Sequence, residues 1–374
     1  MIYFDNAATT APDPAVLETF NKVYGAFWAN PHALHGLGER AEQMLEQARA
    51  QVQELLGAAD ARLIFTSGAT ESSNLAIKGV ADLHAARGRH LITTNSEHPS
   101  VSRVMTWLEV RGYEVTRLPV GNDGTITVGQ VAEALRKDTI LVSTIFVNNE
   151  TGAINPVGEI GALLKEHAAL FHVDAVQGVG KLPFSVSEVG ADLVSLSAHK
   201  FHGMKGSGVL VLPERLPLPP QLLGGAQEYD LRSGTADVPS AAALAKALRL
   251  TLERRTEATT RVAGLNAGLR EGLAALKGVL VNSPRAGSPY ILNLSIKGIR
   301  PESLVHAMSE QAIYLSTASA CSSKDGVPSA AVLAMCGDEE RARQSVRLSL
   351  SHLSSGDECT RFLEHLTTAL NTLR

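Results

Sequence analysis

The stretch Asp192–Leu212, DLVSLSAHKFHGMKGSGVLVL, decides how this chain is read. Apolar residues of strand character (Leu193, Val194, Leu196, Ala198) lead into a polar pair, His199 and Lys200, and then into a glycine-studded turn. A second strand pattern, GVLVL, follows the turn. A lysine at the mouth of a buried strand is costly unless something compensates it.

The same design recurs upstream. ARLIFTSGATESSNLAIKG reads as strand, glycine turn and helix, and RHLITTNSEHPSVSRVMTWLEV repeats that order. TILVSTIFVNNETG and ALFHVDAVQGVG are further apolar runs that end on polar residues. Continuous apolar strands separated by helices predict an α/β fold with a mostly parallel sheet covered on both faces. In such sheets ligands bind beyond the carboxyl ends of the strands, where each of these polar clusters falls. Residues 213–239, rich in proline and glycine, read as a boundary or an ordered surface loop. A long helical pattern from Ser240 then leads to a smaller α/β region. This region ends in an amphipathic helix bearing Phe362, Leu363, Leu366, Leu370 and Leu373, with a Ser355–Glu358 capping box.

Composition narrows the function classes. A net charge of −4 gives no sign of a nucleic-acid or membrane surface. No apolar run approaches the ~20 residues of a membrane span, and MIYFDNAATTAPDP lacks the features of a secretion signal. A cytoplasmic protein is expected. Cysteines at 321, 336 and 359 are an odd number at low density, which argues against a disulfide framework. Cys321 lies in a loop of small polar residues with Lys324 nearby, surroundings that favour a thiolate. Cys336 and Cys359 read as buried, inert core residues.

The strand ends carry the chemistry. Gly68, Ala69 and Thr70 form a cradle for an anion at a helix N-terminus, or an ordinary strand-to-helix turn. Asp174 either caps the next helix or, beside such a cradle and a strand-end lysine, holds a pyridine nitrogen protonated. Lys200 would then form a Schiff base, its amine activated by desolvation. His98 stands just before Pro99, where a helix N-terminus disfavours the imidazolium; a packed or capping histidine is the plainer reading. Arg347 projects from a strand and either clamps a carboxylate or pairs structurally. His199 and His202 lack a cysteine or carboxylate partner at ligand spacing, so no metal is expected.

With these residues in hand, the chain resembles the cysteine desulfurases of the nitrogen-fixation and iron–sulfur-cluster type, class V aminotransferase-like enzymes of fold-type I. The motifs YFDNAATT, NPHALHGLG, FTSGATESSNLAIKG, SEHPS, FVNNETG, HVDAVQGVGK, SAHKFHGMKGSG, RSGTADV, SACSS and SVRLSLS fall in the family's order over nearly the whole chain. The resemblance implies a large domain over residues 16–245, and a small domain made of residues 1–15 and 246–374. It implies pyridoxal 5′-phosphate carried by Lys200, its ring nitrogen paired with Asp174 and its ring oxygen bonded by Gln177 near Asn149. His98 would stack on the ring and shuttle protons. Ala69, Thr70, Ser197 and His199 would hold the phosphate, with Thr235 reaching in from the partner subunit of a homodimer. Asn30 and Arg347 would bind the carboxylate of L-cysteine, and Cys321 would accept its sulfur as a persulfide, leaving L-alanine.

Departures from the family pattern shape the remaining expectations. His32 and Ala33 replace two serines in NPHALH, and TASAC stands for SGSAC. The chain ends at LTTALNTLR without the longer tail of housekeeping members. A tRNA-thiolating enzyme is therefore as strong a candidate sulfur acceptor as a cluster scaffold. A selenocysteine lyase and a class V aminotransferase are the alternative activities.

Overall fold

The computed structural model describes residues 1–317 and 327–373. After a two-residue strand β1 (Ile2–Tyr3) come helices α1 (Pro14–Ala26) and α2 (Gly36–Leu55). The chain then builds a seven-stranded sheet from β2 (Ala61–Thr66), β3 (His90–Thr94), β4 (Glu114–Leu118), β5 (Thr139–Ile145), β6 (Leu170–Asp174), β7 (Leu193–Ser197) and β8 (Gly208–Pro213). Their spatial order is β2-β8-β7-β6-β5-β3-β4. All pairings are parallel except the two made by β8, which runs antiparallel between β2 and β7. Because β8 reverses direction between them, β2 and β7 end on the same edge of the sheet, where the strand-end motifs gather.

The residues of these strands explain their place. Every residue of β5 and β7 is buried, as in strands covered on both faces. In β8, Val209 and Val211 join one core while Leu210 and Leu212 join the other, the period-two alternation of a central strand. The outermost β4 carries Glu114 and Arg117, charges that discourage edge pairing with another chain.

Helices α3 (Ala69–His84) and α4 (Pro99–Glu109) follow β2 and β3. The helix Val238–Ala274 leaves the sheet region. Its first turns are buried almost all round; farther along only a stripe through Ala258, Val262, Asn266, Leu269 and Leu273 is covered. That change of pattern is what a helix shows as it passes from a core to a surface. No helix or strand interrupts residues 214–237, in line with the loop read from its prolines and glycines.

Four further strands, β9 (Val279–Val281), β10 (Ile291–Ile296), β12 (Ser316–Thr317) and β13 (Ser345–Ser349), form an antiparallel sheet in the order β12-β13-β10-β9. Strand β11 (Ile313–Tyr314) pairs in parallel with β1, so the first residues of the chain pack against its last third. The final helix, Gly356–Leu373, buries Phe362, Leu366 and Leu370 behind the Ser355–Glu358 capping box. Among the described residues no helix is long and apolar enough to cross a membrane.

Cys336 corrects one expectation. It is exposed, whereas Cys359 is buried as read from the sequence. The helix Ala330–Cys336 buries Ala331, Val332 and Met335, and the next position turns about 100° away toward solvent. AAVLAMC is apolar throughout, so its composition conceals which side faces inward.

Candidate active site

A cavity of about 600 Å³ opens where β2, β3, β5, β6 and β7 end. Ala69, Thr70, His98, Asn149, Asp174, Gln177, Ser197, His199, Lys200 and Arg347 all line it. Asn30 and Thr235 are exposed and lie outside the cavity wall of this chain. The Asn30 side chain accepts from the His32 amide at 3.0 Å, which folds the NPHALH turn on itself. Cys321 lies outside the described residues; beyond that segment, Val327, Pro328 and Ala330 line the cavity.

Lys200 leaves β7 through a single 3-10 turn, Ala198–Lys200. Its Nζ donates to the carbonyl of Ala7 at 2.5 Å and of Ala8 at 2.8 Å. These two backbone carbonyls hold the amine in place at the cavity. Asp174, the last residue of β6, is 3% exposed and its carboxylate accepts from the Val176 amide. Burial pushes its carboxyl up to about 6, with the Lys200 charge acting in the other direction. A cationic partner placed against it would restore the charged form.

His98 caps α4. Its Nδ1 accepts from the Ser100 amide at 3.1 Å and lies 2.8 Å from the Ser100 hydroxyl. Since an amide can only donate, the proton of the neutral ring belongs on Nε2. Burial, with Lys200 and Arg347 adding to it, holds the imidazolium down to about 4. The ring is therefore neutral near pH 7, as its place before Pro99 suggested, and it offers a donor at Nε2.

The anion cradle expected at Gly68–Thr70 has a physical basis. Helix α3 begins at Gly68 with no side-chain cap, so its first amides remain available at the cavity edge. Gly68 sits at φ 150, and a Cβ on Gly208 would come within 2.6 Å of the Gly68 Cα. Only glycines let this turn lie so close to β8. Ser197 and His199 stand on the same wall. An uncapped helix end, a buried carboxylate and a strand-end lysine in one cavity match a phosphate, a pyridine nitrogen and an aldehyde respectively. The donor set fits pyridoxal phosphate.

Arg347 is 2% exposed on β13. It pairs with Asp5 at 2.9 Å and donates to the Asn149 carbonyl at 3.0 Å, while its Nε has no partner among the described residues. The structural pair read from the sequence is present, and the Nε donor is left over.

Sequence reasoning missed Glu97, which also lines the cavity. Its Oε1 accepts from the Thr94 hydroxyl at 2.8 Å and the Ile145 amide at 2.9 Å, whereas Oε2 has no partner among the described residues. Ile145 lies opposite Asp174 in the β5–β6 register, so two carboxyls share this corner. Burial first, then Asp174, pushes the Glu97 carboxyl up to about 8. The only signal was a charged residue between an apolar strand and a proline-started helix.

A raised carboxyl favours the folded state while protonated. Glu97 therefore contributes stability below its unfolded value of about 4.3, and this is lost as pH rises toward about 8. Glu97→Gln mimics the protonated form at every pH. In cofactor-free protein the melting temperature of the variant, relative to the parent, should be higher at pH 8.5 than at pH 5. A pH-independent difference in thermal melts would refute the assignment. His98 acts in the opposite direction between 6.5 and about 4, equally in both proteins, and cancels in the comparison.

Residues 2–362 match the family Aminotransferase class-V. The chain is 42% identical to the "NifS/IcsS protein homolog" of Lactobacillus delbrueckii subsp. bulgaricus, over 97% of this chain and 95% of that one. It is 38% identical to the "Putative cysteine desulfurase IscS 1" of Bacillus subtilis, over 100% and 99% of the two chains. A solved "NIFS-LIKE PROTEIN" superposes with a TM-score of 0.94 at 36% identity, covering all of both chains.

Proposed function

The chain belongs to the class-V aminotransferase family, among its pyridoxal-phosphate-dependent cysteine desulfurases, and from that premise we propose how its own residues divide the work. The observation that carries the assignment is the convergence of Lys200, Asp174, His98 and the uncapped start of α3 on one cavity.

Pyridoxal phosphate, when bound, supplies an electron sink for charge developing on the substrate amino acid. The α3 amides of Ala69 and Thr70, with Ser197 and His199, would hold its phosphate. Asp174 would pair with the ring nitrogen, Gln177 and Asn149 would face the ring oxygen, and Lys200 would carry the aldehyde carbon. Arg347 and Asn30 would orient the carboxylate of L-cysteine. Arg347 can do so through its remaining donors while Asp5 holds one end of the guanidinium. His98 would exchange its proton with substrate through Nε2.

Cys321 thiolate would attack the substrate sulfur; the carbon–sulfur bond breaks, its electron pair stays with the carbon, and a proton completes L-alanine. The sulfur remains on Cys321 as a persulfide, so no external oxidant is needed. We place this activity in the cytoplasm, in a homodimer whose exposed Thr235 reaches the neighbouring site. The persulfide would pass to an acceptor protein, either a cluster scaffold or a tRNA-thiolating enzyme.

Incubation with L-cysteine as the sole substrate tests the reading. Alanine and protein-bound persulfide should appear in equal amounts before turnover, and peptide mapping should find the extra sulfur on Cys321. A requirement for a keto acid would return the protein to the aminotransferases. Turnover of L-selenocysteine alone would make it a selenocysteine lyase.

A further inference from the structure

Lys181 lies four residues beyond Gln177, in the turns that follow β6, and is 8% exposed. Among the described residues no carboxylate pairs with it. Its Nζ instead donates to Gln177 Oε1 at 2.8 Å. At the other end of the same amide, Gln177 Nε2 donates at 2.8 Å to the Ala7 carbonyl, which also accepts from Lys200. A buried ammonium without an acid partner is costly, and such groups concentrate at functional sites.

We propose that Lys181 is a positioning residue: as a pure donor it locks the Gln177 amide with Oε1 turned away and Nε2 turned toward the cavity. Through that lock it sets the proton affinity of whatever acceptor Gln177 faces. An amide can turn over and exchange donor for acceptor, but an ammonium cannot accept and a carbonyl cannot donate. The Ala7 carbonyl therefore favours this one orientation, and Lys181 enforces it while it is charged. The inference rests on the assignment of Gln177 to the cofactor's ring oxygen.

Other charges face Lys181 as well. Lys200 and Arg347 act on it, and its own charge reaches His199 and His202. A small cavity of about 30 Å³ lies between Lys181 and Lys200, with Arg254 and His352 on its walls. Burial and these cations hold the Lys181 ammonium down to about 7, so its donor character is strongest below that pH.

Lys181→Met in the cofactor-loaded protein tests this through colour rather than turnover. Loss of the lock weakens donation to the ring oxygen, so the pH midpoint of the visible absorption change should rise by about one unit. In a Gln177→Ala background the same substitution should move the midpoint little, because the effect passes through Gln177. An unchanged midpoint in Lys181→Met, or a full shift that persists without Gln177, overturns the inference. Should Lys181→Met not fold, Lys181→Ala only enlarges the small cavity beside it and should show the same rise. Failure of the underlying cofactor assignment looks different: the parent itself would show no visible band, and borohydride would fix no label on Lys200.

Discussion

Lys200→Ala is expected to lower kcat/KM for L-cysteine by at least about 10⁴-fold, the scale seen when a catalytic nucleophile is removed. The effect has two separable sources. In its proposed role the amine would form the covalent link to the cofactor, and it also ties the Ala7 and Ala8 carbonyls to the end of β7. Lys200→Arg separates them. A guanidinium can still donate to both carbonyls but stays protonated and is no nucleophile near neutral pH. Both variants should therefore be inactive, while Arg should melt closer to the parent than Ala. Cofactor should bind both through the α3 cradle and Asp174, yet borohydride should fix it to neither. Retention of a tenth of the parental kcat/KM by either variant would remove Lys200 from its assigned role.

Cys321→Ser should lose at least about 10³-fold in alanine formation and carry no persulfide. A serine hydroxyl matches the thiol closely in size but is a far poorer nucleophile near neutral pH. The described chain resumes at Val327 and Pro328 on the cavity wall. The other cysteines are the controls. Burial, with Glu358 adding to it, pushes the Cys359 thiol up to about 11, so it stays protonated and inert. Cys336 is exposed and donates to the Val332 carbonyl at 3.1 Å, so it can take up a thiol label without taking part in turnover. Cys336→Ser and Cys359→Ser should keep parental activity. Desulfuration by Cys321→Ser at a rate near the parent's would defeat the persulfide route.

Much of the site could be read from the chain because parallel sheets put function at strand ends. Asp174, His98 and Lys200 each stand at or just past the last residue of an apolar run, and the structure gathers them at one cavity. The antiparallel course of β8 was hidden, since GVLVL reads alike in either direction. The carbonyls of Ala7 and Ala8 were hidden too, because backbone acceptors leave no trace in residue type. Lys181 looked like any lysine after a glycine turn; only the fold reveals that it is buried against Gln177. Glu97 sat beside a conspicuous histidine and resembled a capping residue, while its orphaned oxygen depends on Ile145, far along the chain.

The contacts made by residues 5–8 reach beyond catalysis. Ala7 donates to the Ser349 hydroxyl at 2.8 Å across a separation of 342 positions, and Asp5 pairs with Arg347. During synthesis residues 5–7 emerge long before their partners on β13, which follow more than 300 positions later. Earlier segments can collapse in order as they leave the ribosome, but residues 5–7 lack their Arg347 and Ser349 partners until β13 arrives. A nascent or truncated chain lacking residue 349 therefore has a sheet whose amino-terminal strap is not yet anchored beside Lys200. Competence for chemistry is a property that the chain acquires only once β13 has been made.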